Sequence, residues 1–369
     1  MPSAPVERSP PYSAAMSGDL RERAGAPTLE DVARVAGVSR ATVSRVVNGV
    51  RNVDPGIREA VRRAVEATGY APNRAARSLV TRRAGTIALV VSGVDGGSAG
   101  HDGPDAFAAR VFADPFFGRV VAGVVGFLRP RSTHPVLMFA ETSADREQIA
   151  GYLRQGSADG ALIVSAHGED PLPALLVAAG LPAVLFARPA RPVPLSHVDL
   201  AHADGGRLAA EHLLARGCRR IATITGPLDV PAGQDRLTGF RDAMARRGQP
   251  YVPIVEGRFT QRSGEEAMAR LLAEHPDVDG VFVGNDVMAR GACQVLGEHG
   301  RRIPDDVAVV GFDDSAAATS GRLGLTTVRQ PVEDMAAEMA RLLQEHIETP
   351  GRPVTSVVFA PELVVRESA

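Results

Sequence analysis

Arg40 and Arg45 are the residues of this chain whose type and spacing best suit chemistry on a nucleic acid. The stretch Arg40 to Asn48 reads as a helix with Val43, Val46 and Val47 on its apolar face, so its other face carries Arg40, Ala41, Ser44 and Arg45. A guanidinium donates two parallel hydrogen bonds to O6 and N7 of guanine, while serine and threonine hydroxyls suit phosphates. No comparable arrangement for catalysis is visible. There is no phosphate loop, no Gly-x-Ser-x-Gly, no dinucleotide fingerprint after the first strand and no His/Cys metal spacing. His101 and Asp102 are adjacent, but a glycine-rich stretch is poor support for catalysis. Cys218 and Cys293 lie far apart and read as packed residues of a reducing compartment. The expectation is no catalytic residue, no metal and no cofactor.

The elements that must hold the arginines are short and well punctuated. Thr28 is a good N-cap, followed by an acid, Asp31, three residues later. Leu29, Val32, Ala33 and Ala36 recur at helical spacing, and Gly37 ends that helix where a left-handed residue turns the chain. Ser39 caps the second helix. Ala33, Gly37 and Val43 stand at the spacing of a helix-turn-helix, although any helical hairpin with a glycine in its turn gives a similar pattern. A third helix starts at the Asp54 cap with Pro55 in its first turn and closes at Gly69; Ile57, Val61, Ala64 and Val65 form its inner stripe. After Pro72, Asn73 caps a two-turn segment to Leu79, too short to be helical without a partner.

Charge supports the same reading. Lysine is absent, so all 41 basic residues are arginine. From Thr28 to Arg83 eleven arginines face five acids, an excess of six positive charges; on a net charge of −2 the remainder carries −8. A basic head on an acidic body is the electrostatic footprint of a DNA-binding module, and a solvated arginine-rich face is the alternative. Met1 to Pro27 has no apolar core of a signal peptide and reads as a disordered tail, which predicts a cytoplasmic protein. No run of 18 apolar residues predicts a membrane span.

From Thr86 onward, apolar runs alternate with amphipathic helical stretches. The runs are Ile87–Val91, Val136–Phe139, Ala161–Val164, Ala183–Phe186, Ile221–Ile224, Val281–Val283 and Val307–Val310; helices fit near Phe117–Leu128, Gly205–Arg216, Arg236–Arg246, Glu265–Glu274, Met288–His299 and Val332–Ile347. Such alternation gives parallel sheets covered by helices, and about 280 residues are too many for one sheet, so two lobes with a cleft at their strand ends are expected. By local pattern Asp286 caps the helix after it, Pro115 and Phe116 shape a loop, and Thr326 and Thr327 sit in a short strand.

The string Thr28-Leu29-Glu30-Asp31-Val32-Ala33, Ala36-Gly37-Val38-Ser39, Thr42 to Asn48 and Gly69-Tyr70-x-Pro72-Asn73 resembles the headpiece of the lactose repressor family. The later segments Asp114-Pro115-Phe116-Phe117, Asp235-Arg236-Leu237-x-Gly239-Phe240, Gly284-Asn285-Asp286, Val310 to Asp314 and Leu325 to Pro331 resemble that family's sensor, itself similar to type I periplasmic sugar-binding proteins. The resemblance implies an all-α helix-turn-helix headpiece joined to a two-lobed α/β sensor: a tail over 1–27, a headpiece over 28–72, a hinge over 73–83 and an effector-binding, dimerising unit over 84–369. It implies a repressor that binds a palindromic operator as a homodimer. Arg40, Ala41 and Arg45 would read bases, Leu79 would wedge between base pairs, and Thr28, Ser39, Thr42, Ser44, Asn48, Asn73, Arg74 and Ala76 would complete the DNA contacts. Phe117, Arg236, Asn285, Asp313 and Gln330 would bind a small effector, a sugar or its derivative, between the lobes. A free-standing sugar-binding protein is the competing reading. No heptad extension follows Ala369, so a dimer is expected rather than a tetramer. The segment 93–113 is much longer than its counterpart in the family and borders the cleft mouth; a disordered loop is expected there, with a lid as the alternative.

Overall fold

The computed structural model describes residues 27–47, 52–70, 83–93, 106–165 and 167–369. The chain divides into two compact units, Met1–Val80 and Thr81–Ala369. The expected tail and hinge lie almost wholly outside the described residues.

The first unit packs α1 (Leu29–Ala36), α2 (Arg40–Val47) and α3 (Pro55–Thr68) around Val32, Val43, Val61 and Ala64. Asp54 accepts from the backbone N–H of Gly56 and Ile57, and Pro55 follows it, so α3 starts where its cap dictates. The helical spacing places Ile57 on the inner stripe, but it is 37% exposed, on the first turn of α3.

The second unit holds two six-stranded sheets. The first lobe has the order β11 (Ser356–Phe359), β5 (Ser196–Leu200), β4 (Ala183–Phe186), β3 (Ala161–Ser165), β1 (Thr86–Ser92) and β2 (His134–Ala140), all parallel. The second has the order β12 (Glu362–Val364), β10 (Thr326–Arg329), β9 (Ala308–Asp313), β8 (Gly280–Val283), β6 (Ile221–Thr225) and β7 (Ile254–Glu256), with only β12 antiparallel. Strand positions buried on both faces explain the continuous apolar runs of β1, β3 and β8. The first lobe carries α4 (Ala106–Ala113), α5 (Pro115–Leu128), α6 (Ser143–Arg154), α7 (Leu172–Ala178) and, returning late in the chain, α13 (Val332–Glu348). The second carries α8 (His202–Ala215), α9 (Pro231–Arg246), α10 (Gln261–Glu274), α11 (Asp286–Glu298) and the short α12 (Ala316–Thr319). The chain passes between lobes three times: from β5 to α8, from β10 to α13, and from β11 to β12.

One expectation about the long segment 93–113 is corrected. Residues 106–113 are a helix, because Phe107 and Val111, one turn apart, bury themselves against Val91 and beside Phe139. Residues 94–105 lie outside the described residues.

The helix pair α8–α9 positions His202 and Arg236. It packs backbone to backbone through glycine: a Cβ on Gly239 would stand 1.8 Å from the Ala203 carbonyl oxygen. Gly239→Ala gains about 1 kcal/mol of helix propensity. It loses about 1–3 kcal/mol to overpacking, at the upper end because the obstacle is backbone. The net expectation in a urea melt is a sensor unit less stable by about 2 kcal/mol. Gly151→Ala on α6, where a Cβ meets nothing within 4 Å, should be neutral or stabilising.

Candidate DNA interface and ligand cleft

In the first unit, the Thr28 side chain accepts from the Asp31 N–H and the Asp31 carboxylate accepts from the Thr28 N–H at 3.0 Å. Gly37, at φ +67°, turns the chain into α2. There the Ser39 hydroxyl accepts from the Thr42 N–H at 3.1 Å and lies 2.9 Å from the Thr42 hydroxyl. Thr28, Ser39, Arg40, Ala41 and Arg45 are exposed, while Thr42 and Ser44 are half-buried. Arg40 Nε lies 2.9 Å from the Glu30 carboxylate. Such exposed pairs are worth about 0–1 kcal/mol, so phosphate or guanine competes for this guanidinium at little cost. Asn48, Asn73, Arg74, Ala76 and Leu79 lie outside the described residues.

In the second unit, five elements bring polar side chains to the strand ends between the lobes. Arg236, on α9, is 6% exposed. Its Nη1 donates to the Gly284 carbonyl after β8, Nη2 donates to Gln330 Oε1 at 3.2 Å after β10, and Nε donates to His202 Nδ1 at 3.3 Å at the start of α8. Asp313 Oδ1, at the end of β9, is 3.7 Å from Nη2. The guanidinium stacks 3.6 Å from the centre of the Phe312 ring. Asp313 has φ +105°, a left-handed backbone that costs about 1–3 kcal/mol and needs external support. Arg119 of α5 supplies it from the other lobe: Nη1 donates to the Asp313 carbonyl at 2.9 Å and Nη2 to the Gln330 carbonyl at 2.9 Å, while Glu333 accepts from Nε and Nη2 at 2.8 Å.

Electrostatics follow from burial. Burial holds the His202 imidazole well below its usual pKa, with the Arg236 and Arg188 charges adding to the effect. The ring is therefore neutral, and a bare Nδ1 facing Arg236 leaves the proton on Nε2, 3.6 Å from Asp199. Burial pulls Arg236 down, but Asp313, Asp286, Asp199 and Asp114 oppose it. Burial pushes the Asp313 carboxyl up to about 8, against the pull of Arg236.

The five residues expected to hold an effector are not equally placed. Arg236, Asp313 and Gln330 form one cluster. Phe117 is half-buried, edge-on to Phe116 with ring centres 5.3 Å apart. Asn285 is 3% exposed and committed to the protein: Oδ1 accepts from the Met288 N–H at 2.9 Å and Nδ2 donates to the Phe259 carbonyl at 3.3 Å. Asn285, not Asp286, caps α11, which corrects the local reading. Asp286 turns inward instead, accepting from Thr327 Oγ1 at 2.6 Å and the Ser315 N–H at 2.7 Å. Pro115, expected in a loop, is the first residue of α5 behind the Asp114 cap. Arg119, His202, Asp199 and the Arg188–Asp235 pair at 2.7 Å escaped sequence reasoning. A signal existed for Arg119, the one charge in the apolar stretch Pro115–Leu128.

The model of bacterial regulatory proteins of the lacI family matches residues 28–73, and the periplasmic binding protein-like domain matches residues 210–369. The HTH-type transcriptional regulator CelR of Thermobifida fusca is 45% identical over 352 residues, 94% of this chain and 99% of CelR. The chain belongs to the lacI family. A ribose operon repressor of Halalkalibacterium halodurans is 32% identical over 343 residues, 92% of this chain and 96% of that protein. Among solved structures, a CelR–cellobiose complex aligns at TM-score 0.71 and 43% identity, covering 93% of this chain and 100% of that one. The lac repressor dimer bound to operator and an anti-inducer aligns at 0.77 and 27% identity, covering 93% and 99%. As a lacI-family protein this chain is a DNA-binding transcriptional regulator, with a helix-turn-helix headpiece and a periplasmic-binding-protein-like sensor.

The sign of the Asp313 shift sets a pH dependence. A carboxyl whose pKa is raised by folding stabilises fully below its unfolded value, near 4, and loses that contribution as pH rises through about 8. The wild-type sensor should lose up to about 1.4 kcal/mol per pH unit across this window relative to Asp313→Asn. Urea melts of both proteins at pH 5, 6.5 and 8 read this out, and parallel pH profiles would remove the argument.

Proposed function

We propose that this regulator is a homodimeric repressor acting in the cytoplasm, whose hold on a palindromic operator is set by a sugar bound between the lobes of its sensor, and that it works by binding and not by catalysis. The tail spans 1–27, the DNA-binding headpiece 28–72, the hinge 73–83 and the sensor 84–369. Arg40, Ala41 and Arg45 read base edges; Thr28, Ser39, Thr42, Ser44 and Asn48 hold backbone; Asn73, Arg74, Ala76 and Leu79 act in the hinge, with Leu79 as the wedge. The observation that carries the sugar reading is the cluster of Arg236, Asp313 and Gln330 at the strand ends between the lobes, a polar fork beside a carboxyl and an amide. Vicinal hydroxyls of a sugar match that pattern. In this reading Phe117 and Asn285 complete the sugar site, Asn285 through the lone pair and the N–H left over from its bonds to Met288 and Phe259. The cellobiose seen with CelR supports a glucose-based effector.

Two variants test the two halves separately. Arg45→Ala should cost about 1–3 kcal/mol of operator affinity and relax preference at one position per half-site in a gel-shift selection. A uniform loss across all sequences would make Arg45 a phosphate contact. Asp313→Asn keeps the shape but fixes an amide donor where the carboxyl can turn or shed its proton to suit a ligand hydroxyl. It should bind operator as wild type does and stop responding to cellobiose; an unchanged response removes Asp313 from the site.

A further inference from the structure

Helix α13 runs for 17 residues, about 25 Å, from Val332 to Glu348. Its first turn lies at the strand ends that carry the polar cluster. Arg119 grips that end: its guanidinium donates to the carbonyls of Asp313 and Gln330 and to the Glu333 carboxylate on α13. The helix rests there on the backbone of α5, since a Cβ on Gly123 would stand 2.2 Å from the Glu333 carbonyl oxygen.

The far end of α13 meets the residues through which the proposed hinge enters the sensor. Arg83 Nη2 donates to the Ile347 carbonyl at 3.1 Å. The N–H groups of Ala84 and Gly85 donate to the two oxygens of Asp159 at 2.6 and 2.9 Å. Beside Asp159, Gly160 supports the helix: a Cβ there would stand 2.9 Å from Leu343 Cδ1. A cavity of about 100 Å³ lies at this junction, with Arg83, Asp159, Leu343 and Ile347 in its lining. Close packing resists displacement, and a void beside the last turns of α13 leaves them room to shift. Between the two ends, Val332, Met335, Ala336, Met339, Ala340, Leu342 and Leu343 are buried along one stripe. A helix packed along one face moves by small sliding as a unit.

We infer that Arg119 and Arg83 are positioning residues of the effector response, acting through α13, which passes a change at the Asp313 and Gln330 strand ends to the residues that follow the hinge. The inference rests on the reading of the cluster as the effector site and adds the route by which that site reaches the headpiece. The experiment is a double-variant cycle on the full-length chain, with Arg119→Met, Arg83→Met and both together. Affinity for an operator recovered by gel-shift selection is measured without sugar, and a thermal melt checks each fold. Where Arg119→Met does not fold, Glu333→Gln takes its place. Effects at sites so far apart and not connected multiply to within about twofold. The expected result is a change of at least fivefold in each single variant and a double variant that matches a single one, because an element released at one end transmits nothing from the other. Single variants without effect, or a double variant at the product of the two, overturn the inference. Arg352 pairs with Glu345 of α13 at 3.1 Å, near the same end. Arg352→Met should leave operator affinity unchanged, and coupling of this variant to Arg119→Met would reduce the effect to general loosening and overturn the inference as well. Cellobiose supplies the second arm: Arg83→Met should bind it within twofold of wild type, while the shift it causes in operator affinity falls at least fivefold. An undiminished shift overturns the inference. A wild type whose operator affinity ignores cellobiose sinks the cellobiose reading instead, and the cycle, which uses no sugar, still decides this one.

Discussion

A guanidinium taken out of water is costly, and Arg236 is the charge around which the sensor closes. Desolvating such an ion costs several kcal/mol unless every donor finds a partner. Here the partners come from four other places in the chain: the carbonyl after β8, the carboxyl ending β9, the amide after β10 and the imidazole opening α8. The Phe312 ring covers the face of the group. Removing one partner leaves a buried charge underpaired, at about 3–5 kcal/mol. The strand ends of the second lobe are thus fixed by one side chain before any ligand arrives, and the first lobe enters the same network through Arg119.

The absence of lysine acquires a structural meaning at such points. Arg119 reaches two carbonyls and a carboxylate at once. Arg290 does similar work elsewhere, donating to the carbonyls of Ala317, Ala318 and Leu323 and so closing the turn around α12. A planar fork with five donors spans several acceptors in fixed directions; an ammonium holds one locus. Arginine at these sites is not exchangeable with lysine, whatever the origin of the composition.

Local signals explain what the sequence revealed. The three headpiece helices begin and end at caps that act over two to four residues, so Thr28, Gly37, Asp54 and Gly69 were readable. Strands buried on both faces stood out as apolar runs. The elements that escaped notice were short or polar: β5 reads Ser-His-Val-Asp-Leu, β7 has three residues, and β11 exposes alternate positions. Asn285 and Asp286 show a deeper limit. Either residue can cap a helix, and the choice is made by Ser315 and Thr327, which capture Asp286 from 29 and 41 positions away. The same holds for His202, whose neutrality depends on burial and on arginines remote in sequence.

The three passages of the chain between the lobes carry a mechanical consequence. They follow β5, β10 and β11, so all three strands of polypeptide that join the lobes leave from neighbouring or edge positions of the two sheets. Two bodies tied by one tether can tumble; tied by three, they swing and twist about a shared axis but resist sliding apart. Any displacement between the lobes has to be absorbed by a few torsions around Ala201, Pro331 and the turn at Ala360 and Pro361. Whatever stiffens those few residues sets how far the jaws open.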